Sequence, residues 1–291
     1  MDRESLSPHS SSETRQEHRR VADKWLSEHG DGSLYIAKEL GFGGFSSCWL
    51  LWSSSTEQEQ SMVALKLIDR APLRKSKRDY VKRELSIHSK LSHSNIVQFY
   101  RYGVHKEFVL IFMEYCSGGS LAQRIRLRPL EERELIVVIK QLLSALYYLH
   151  SRLILHRDLK PGNLLISEPD SLVVKLADFG LSIKLQPGEE LTASCGTPYY
   201  FSPEMVSGKP YSFPSDIWSF GILVYAAFAG AVPFEEKGIV REEIFKRIQA
   251  QPIAYPSNMS KRLIDFLSHI LCRDPKTRAS LIELKNNIYL N

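Results

Sequence analysis

Lys66 stands in the middle of an otherwise apolar run, MVALKLID, from Met62 to Asp69. A lysine inside such a strand is costly to bury unless its ammonium group is paired. The strand must therefore lie against an element that brings a carboxylate to it. Glu84, on a helix expected from about Ser76 to Leu91, is the natural partner. The plainer alternative is a snorkelling surface lysine and a solvated glutamate. The neighbouring segments also read as strands. LYIAKELGFGGFSSCWLLW is a strand, a glycine turn and a second strand, closing at the polar SSSTEQEQ, and Phe108 to Tyr115 is a further apolar strand. Ser117-Gly118-Gly119 then breaks the pattern. Beyond it Leu135 to His150 repeats apolar residues at a helical period, a strand pair is expected around Ile154 to Lys175, and helices dominate from Asp216 onward. The expectation is an α+β, bilobal chain with a small strand-rich lobe at 34–113, a hinge at 114–117 and a larger helical lobe at 118–290.

Chemistry concentrates in HRDLKPGN, His156 to Asn163. Asp158 lies two positions before Lys160 and five before Asn163, and Asp178, in the triplet DFG, follows Asn163 by fifteen. These are the parts that phosphoryl transfer needs: a carboxylate to take a hydroxyl proton, oxygen ligands for Mg²⁺, and a cation to offset phosphate charge. The glycines at Gly41, Gly43 and Gly44, with Phe45 following, fit any tight hairpin when taken alone. Placed one strand ahead of Lys66, they fit a turn whose backbone N–H groups approach phosphates closely.

The chain of 291 residues has 43% hydrophobic and 24% charged residues and a net charge of +5, which suits one large or two modest soluble domains. One basic cluster, Arg70, Arg74, Lys75, Lys77 and Arg78, reads as a solvated approach to a helix, with a docking or phosphate patch as the alternative. Four scattered cysteines (Cys48, Cys116, Cys195 and Cys272) fit no metal spacing and suggest a reducing compartment. A polar, charged N-terminus does not resemble a secretory signal. The apolar run Ile217 to Phe234 reads as a core helix and not as a membrane span. Residues 1–30 carry few large apolar groups and are expected to be disordered, or at most a short helix near Val21 to Leu26.

These motifs resemble the eukaryotic protein kinases, from about residue 34 to 290, and the resemblance implies a role for each residue. Leu40, Gly41, Phe42, Gly43, Gly44, Phe45, Ser46 and Cys48 would form the glycine-rich loop over ATP. Lys66, paired with Glu84, would grip the α- and β-phosphates. Asp158 would be the catalytic base, with Lys160 near the γ-phosphate, and Asn163 and Asp178 would hold Mg²⁺. Adenine would meet the Glu114 carbonyl and the Cys116 amide behind Met113, with Cys48, Ala64 and Leu165 lining its faces. Ser202-Pro203-Glu204 stands where the family has Ala-Pro-Glu, and Glu204 would pair with Arg278. Asp216, Trp218 and Gly221 match the helix that anchors the catalytic loop. The loop departs from the family in Ser46, for its third glycine, and in Cys48, for its usual valine.

Lys160 and Gly196-Thr197-Pro198 resemble the serine/threonine subgroup, which implies transfer to Ser or Thr hydroxyls of protein substrates. Leu181, after DFG, resembles kinases that favour serine. Ser120, Gly162 and Ala226 occupy positions that are acidic in arginine-directed relatives, so no strong arginine selection is expected. Arg157 beside Asp158 implies activation-loop control, with Thr192 and Ser194 as acceptors flanking Ala193. GGFSSC and ELSIH resemble polo-like kinases, EYCSGGSL and LQPGEELTASCGTP the autophagy-initiating kinases, and GTPYYFSPE the NIMA-related kinases. The expected product is an ATP- and Mg²⁺-dependent kinase, cytoplasmic with possible nuclear access, engaging neither nucleic acid nor a membrane span. No room is expected for a C-terminal module such as a polo box. The rival is an inactive pseudokinase scaffold, which would typically lack the equivalents of Lys66, Asp158 or Asp178; a small-molecule phosphotransferase is a more distant one.

Overall fold

A computed structural model describes residues 8–29, 34–42, 46–53, 62–73, 75–236 and 238–290. The chain divides into two compact units, one of residues 1–92 and 97–115, the other of residues 93–96 and 116–291. The first is strand-rich and the second mainly helical, the α+β, two-lobed class expected from the sequence.

The first unit contains α1 (Pro8–His29), β1 (Leu34–Phe42), β2 (Ser46–Ser53), β3 (Met62–Asp69), α2 (Lys75–His88), β4 (Phe99–His105) and β5 (Phe108–Glu114). Its strands form one antiparallel sheet in the order β1-β2-β3-β5-β4. Strand alternation splits its apolar residues between two faces. On one, Trp49, Leu51, Leu65, Leu67, Phe108, Leu110 and Phe112 pack with Ala22, Trp25 and Leu26 of α1. On the other, Ile68, Val109 and Ile111 pack with Val81 and Leu85 of α2. The sheet is thus covered by a helix on each side.

This corrects the expectation of a disordered N-terminal segment. The helix α1 runs over 22 residues. Its apolar stripe is narrow, but the sheet face beneath is large enough to bury it. Trp25 lies against Gly103, where an added Cβ would come within 2.4 Å of the indole. Arg101 places its guanidinium 5.5 Å from the Trp25 ring and 4.6 Å from the Phe112 ring. Arg70 donates to the carbonyls of Glu107 and Lys106, and Arg78 donates to the carbonyl of Leu73. Two members of the basic cluster therefore brace local turns.

The second unit holds α3 (Leu121–Leu127), α4 (Glu132–His150), β6 (Ile154–Leu155), β7 (Leu164–Ile166), β8 (Val174–Leu176), β9 (Ile183–Lys184), α5 (Pro203–Val206), α6 (Phe213–Ala229), α7 (Arg241–Ala250), α8 (Lys261–Ile270) and α9 (Leu281–Lys285). Ser120 caps α3 and Ser280 caps α9, each through a reciprocal bond with the residue three positions on. The α6 helix is buried along most of its length and stops at Gly230, whose φ of 78° ends it in the left-handed region. Gly221 lets it approach α8 closely, because a Cβ there would meet Ile270 at 2.5 Å. No helix among the described residues is long and apolar enough to cross a membrane.

The strand pair expected around 154–175 is present as β7 and β8, and a second pairing was not foreseen. β7 pairs with β8, while β6 pairs with β9, which lies beyond DFG. Two-residue strands carry too little sequence pattern to reveal their partners. His93–Ile96 belong to the second unit, where Asn95 donates to Gln141 and to the carbonyl of Val174.

Candidate active site

In the first unit, Lys66 Nζ lies 2.6 Å from Glu84 Oε1, and both side chains are largely buried. The pairing that the sequence demanded is present, made by α2 lying on the Lys66 face of β3. Cys48 is the cross-strand partner of Lys66, and Ala64 that of Met113. Alternation puts Cys48, Ala64, Lys66 and Met113 on one face, away from α1. Leu40 and Gly41 lie on β1, which ends at Phe42, and Ser46 begins β2; Gly43, Gly44 and Phe45 lie outside the described residues. Glu114 ends β5, where its amide bonds to the Gln98 carbonyl.

In the second unit, Asp158 is held from four directions. Its Oδ2 accepts from Lys160 Nζ at 2.6 Å and from Asn163 Nδ2 at 2.9 Å. Its Oδ1 accepts from the Thr197 amide at 3.1 Å and the Thr197 hydroxyl at 2.9 Å. Lys160 also donates to that hydroxyl, at 2.8 Å. The Thr197 hydroxyl was not among the expected site residues; the Gly-Thr-Pro triplet was its only signal. Gly196 makes its approach possible. At φ 108°, a Cβ on Gly196 would stand 2.5 Å from the Arg157 carbonyl oxygen.

Asp216, from the N-terminal turn of α6, organises the loop from behind. It is 1% exposed and accepts from the amides of His156 and Arg157, at 2.9 and 3.0 Å, and from His150 Nε2 at 3.0 Å. Burial pushes its pKa up, but the hydrogen bond from His150 and the nearby histidines outweigh that and leave it below the ordinary value. His156 is fully buried, and burial holds it below the usual histidine range despite Asp216, Asp158 and Asp178 nearby. Its Nδ1 accepts from the Asp158 amide and its Nε2–H donates to the Ala177 carbonyl, each at 3.3 Å. These partners require a neutral ring with its proton on Nε2.

Asn163 spends both amide protons on Asp158, one on the carboxylate and one on the backbone carbonyl. Its side-chain carbonyl oxygen is of the type that would suit a cation such as Mg²⁺. Asp178 sits at φ 64°, a left-handed conformation that is rare outside glycine. One carboxylate and one amide oxygen suit Mg²⁺, which keeps waters and takes most of its protein ligation from one or two carboxylates plus phosphates. Among the described residues no cluster of three or more His, Cys, Asp or Glu forms a metal cage. Cys116 opens the second unit, and Leu165 lies on β7, bridged to Ser120.

The activation-segment candidates differ in their bonding. Ser194 Oγ donates to the Met205 carbonyl at 2.9 Å. Thr192 is exposed. Arg157 spends Nε on the Leu181 carbonyl at 2.6 Å, while its buried Nη2 has no partner among the described residues. Glu204 and Arg278 form a buried two-pronged pair, at 2.8 and 3.0 Å. Arg278 also donates to the carbonyls of Pro214 and Cys272 and lies 5.3 Å from the Trp218 ring centroid.

Residues 34–290 match the family model of the protein kinase domain. The chain belongs to the protein kinase family. It is 34% identical over 263 residues to a probable cell cycle serine/threonine-protein kinase, a CDC5 homolog of Encephalitozoon cuniculi, covering 88% of this chain and 54% of that protein. It is 37% identical over 257 residues to the probable serine/threonine-protein kinase CCRP1 of Zea mays, covering 86% and 40%. It is 34% identical over 274 residues to the inactive serine/threonine-protein kinase PLK5 of Mus musculus, covering 93% and 45%. The kinase thus spans about half the length of these relatives or less. Their names place it with the serine/threonine branch, as its Lys160 and Gly-Thr-Pro triplet imply.

Proposed function

We propose that this chain is an active serine/threonine protein kinase that transfers the γ-phosphoryl group of Mg·ATP to hydroxyls of protein substrates. The observation that carries this reading is the four-donor cradle around Asp158, which aims one carboxylate and leaves none of its acceptor sites to chance. A carboxylate offers about four acceptor positions. A substrate hydroxyl must therefore displace one donor to reach it. The Thr197 hydroxyl and Lys160 are the candidates, being partly exposed, whereas Asn163 is buried. Displaced towards the phosphate, Lys160 would offset charge there while Asp158 accepts the hydroxyl proton. Asn163 and Asp178 would hold Mg²⁺, which neutralises phosphate charge when bound. Lys66, kept in place by Glu84, would contact the α- and β-phosphates, with Gly41, Phe42, Gly43, Gly44, Phe45 and Ser46 covering them.

Thr192 is the favoured regulatory acceptor, because its exposed side chain contrasts with the bonded Ser194 hydroxyl. Arg157, with an unspent buried N–H, would receive the phosphate. Ser120 is engaged in capping α3, Ala226 is buried and Gly162 carries no charge, which supports weak arginine selection. None of the four cysteines is in a disulfide, which supports a reducing cytoplasmic or nuclear setting.

One relative named as inactive gives the scaffold reading its standing. Retention of Lys66, Asp158, Asn163 and Asp178 favours catalysis. Incubating pure protein with Mg·ATP and a positional peptide library decides between them. Asp158→Asn is expected to lower turnover by about 10²–10⁴-fold while Mg·ATP still binds. Undiminished labelling by that variant, or none by the wild type, would overturn the proposal.

A further inference from the structure

The helix α1 precedes the stretch that matches the protein kinase family, residues 34–290, yet it is built into the first unit's core. One of its residues is polar where the stripe should be apolar. His18 is fully buried. It lies against Phe42 and Ser47, cross-strand neighbours on the last rung before the turn that joins β1 to β2.

A chain of two hydrogen bonds joins the helix to the strand there. Trp49 Nε1 can only donate, and it donates to Ser47 Oγ at 2.9 Å. The Ser47 hydroxyl also bonds to His18 Nδ1, 3.0 Å away, with a proton to give and a second lone pair to accept. The His18 ring stands edge-on to Phe108 at 5.7 Å and 82°, and its buried Nε2 has no partner among the described residues. On the other root, Phe42 meets the His18 ring at 5.8 Å and the Arg15 guanidinium at 4.8 Å. Arg15 also reaches Glu39, at 3.9 Å. Gly41, the strand residue just before Phe42, supplies no such anchor: a Cβ there would meet nothing within 4 Å.

We infer that α1 is a positioning element for the nucleotide, acting through His18, which pins both roots of the glycine-rich turn at Phe42 and Ser47. The inference rests on the Mg·ATP reading above. Phe42 and Ser47 bound the short connection between β1 and β2, so how these roots are held sets where it starts and ends. Ser47 and Trp49 face α1, while Cys48 between them points to the face that carries Lys66 and Ala64. Releasing Ser47 from the helix moves the backbone that presents Cys48 and the turn amides. His18 thus contributes to nucleotide binding without touching the nucleotide.

Two substitutions in the full chain separate this role from mere packing. In His18→Asn the side-chain amide takes the place of Nδ1 and still hydrogen-bonds to Ser47, as donor or acceptor. In His18→Leu the space is filled but the hydrogen-bonding nitrogen is gone. The Leu variant is expected to raise KM for ATP, and the calorimetric Kd for Mg·ATP, about 3- to 10-fold, the factor that one neutral hydrogen bond carries. Turnover and peptide KM stay within twofold, and the Asn variant binds Mg·ATP as the wild type does. Amide exchange at residues 46–49 is faster in the Leu variant than in the Asn variant. Should the Leu variant fail to fold, Ser47→Ala removes the same bond from the strand side, along with the acceptor of Trp49 Nε1, and the nucleotide affinity and exchange are expected to change at least as much. Nucleotide affinity within twofold of wild type in the Leu variant, or equal weakening by Asn and Leu with matching losses in Tm, would refute the inference. A wild type that binds no Mg·ATP would refute the nucleotide reading instead. Amide exchange still judges the anchor in that case, and exchange unchanged by the Leu variant would refute it.

Discussion

Replacing Arg278 by Met tests a buried ion pair of the second unit. The guanidinium is fully buried and answers five acceptors: both oxygens of Glu204 and the carbonyls of Pro214, Cys272 and Arg273. Met keeps length and apolar contact with Trp218 but gives no donor. Glu204, 5% exposed, would be left as an uncompensated buried carboxylate. Removing one partner from such a pair costs about 3–5 kcal/mol, mostly the penalty on the charge left behind. For a unit of roughly 150–250 residues each kcal/mol moves Tm by about 2–4 °C, so the expected drop is about 6–20 °C. Denaturant titration followed by tryptophan fluorescence reads the change directly, because Trp218 lies beside the pair. The double variant Glu204→Gln/Arg278→Met, with both charges gone, should recover a substantial part of the loss. A single-variant loss under about 1 kcal/mol, or a double variant that loses the sum of its parts, would show that the pair is not energetically isolated from water as argued.

Gly196→Ala places a Cβ 2.5 Å from the Arg157 carbonyl at a φ of 108°, so the segment must move and Thr197 leave Asp158. A strained position of this kind costs about 1–3 kcal/mol, and turnover is expected to fall more than tenfold in a peptide-phosphorylation assay. Thr192→Ala should lower activity and abolish an activation-segment phosphate seen by mass spectrometry, whereas Ser194→Ala should act mainly on stability through its lost bond to Met205; equal activity in both variants would contradict the assignment. Acid should destabilise the fold in two steps. Burial holds His156 below its ordinary value of 6.5, so below about pH 6.5 the unfolded chain takes up a proton that the folded ring refuses, and stability falls by up to about 1.4 kcal/mol per pH unit for that group. His18 and His93 are lowered in the same direction. Asp216, also lowered, adds stability that is present above its ordinary value and lost as pH falls through its folded value. Denaturant midpoints that do not decline between pH 7 and pH 5 would contradict the histidine assignments.

What was legible in the sequence follows from which interactions leave a local mark. Lys66 in an apolar strand announces its own need for a carboxylate, and the nearest helix supplies Glu84. The cradle of Asp158 was half readable, because Lys160 and Asn163 lie within five residues of it. Thr197 and Gly196 were less so, since a long-range close approach leaves no periodicity. The β6–β9 pairing was hidden for the same reason, each strand having two residues. The helix α1 was missed because its stripe is thin: Ala22 is small, His18 is polar, and only Trp25 and Leu26 look like core. Its burial is set by the sheet face it covers, which no local window contains.

Gly103 carries a further meaning. Trp25 rests so near its backbone that the seat of the N-terminal helix depends on one missing side chain on a different strand, 78 positions away along the sequence. A relative with alanine or anything larger there has no room for an indole in this pose and would have to seat such a helix otherwise or do without it. One bare strand position on β4 therefore decides whether a helix can lay an indole against this sheet face in the same way.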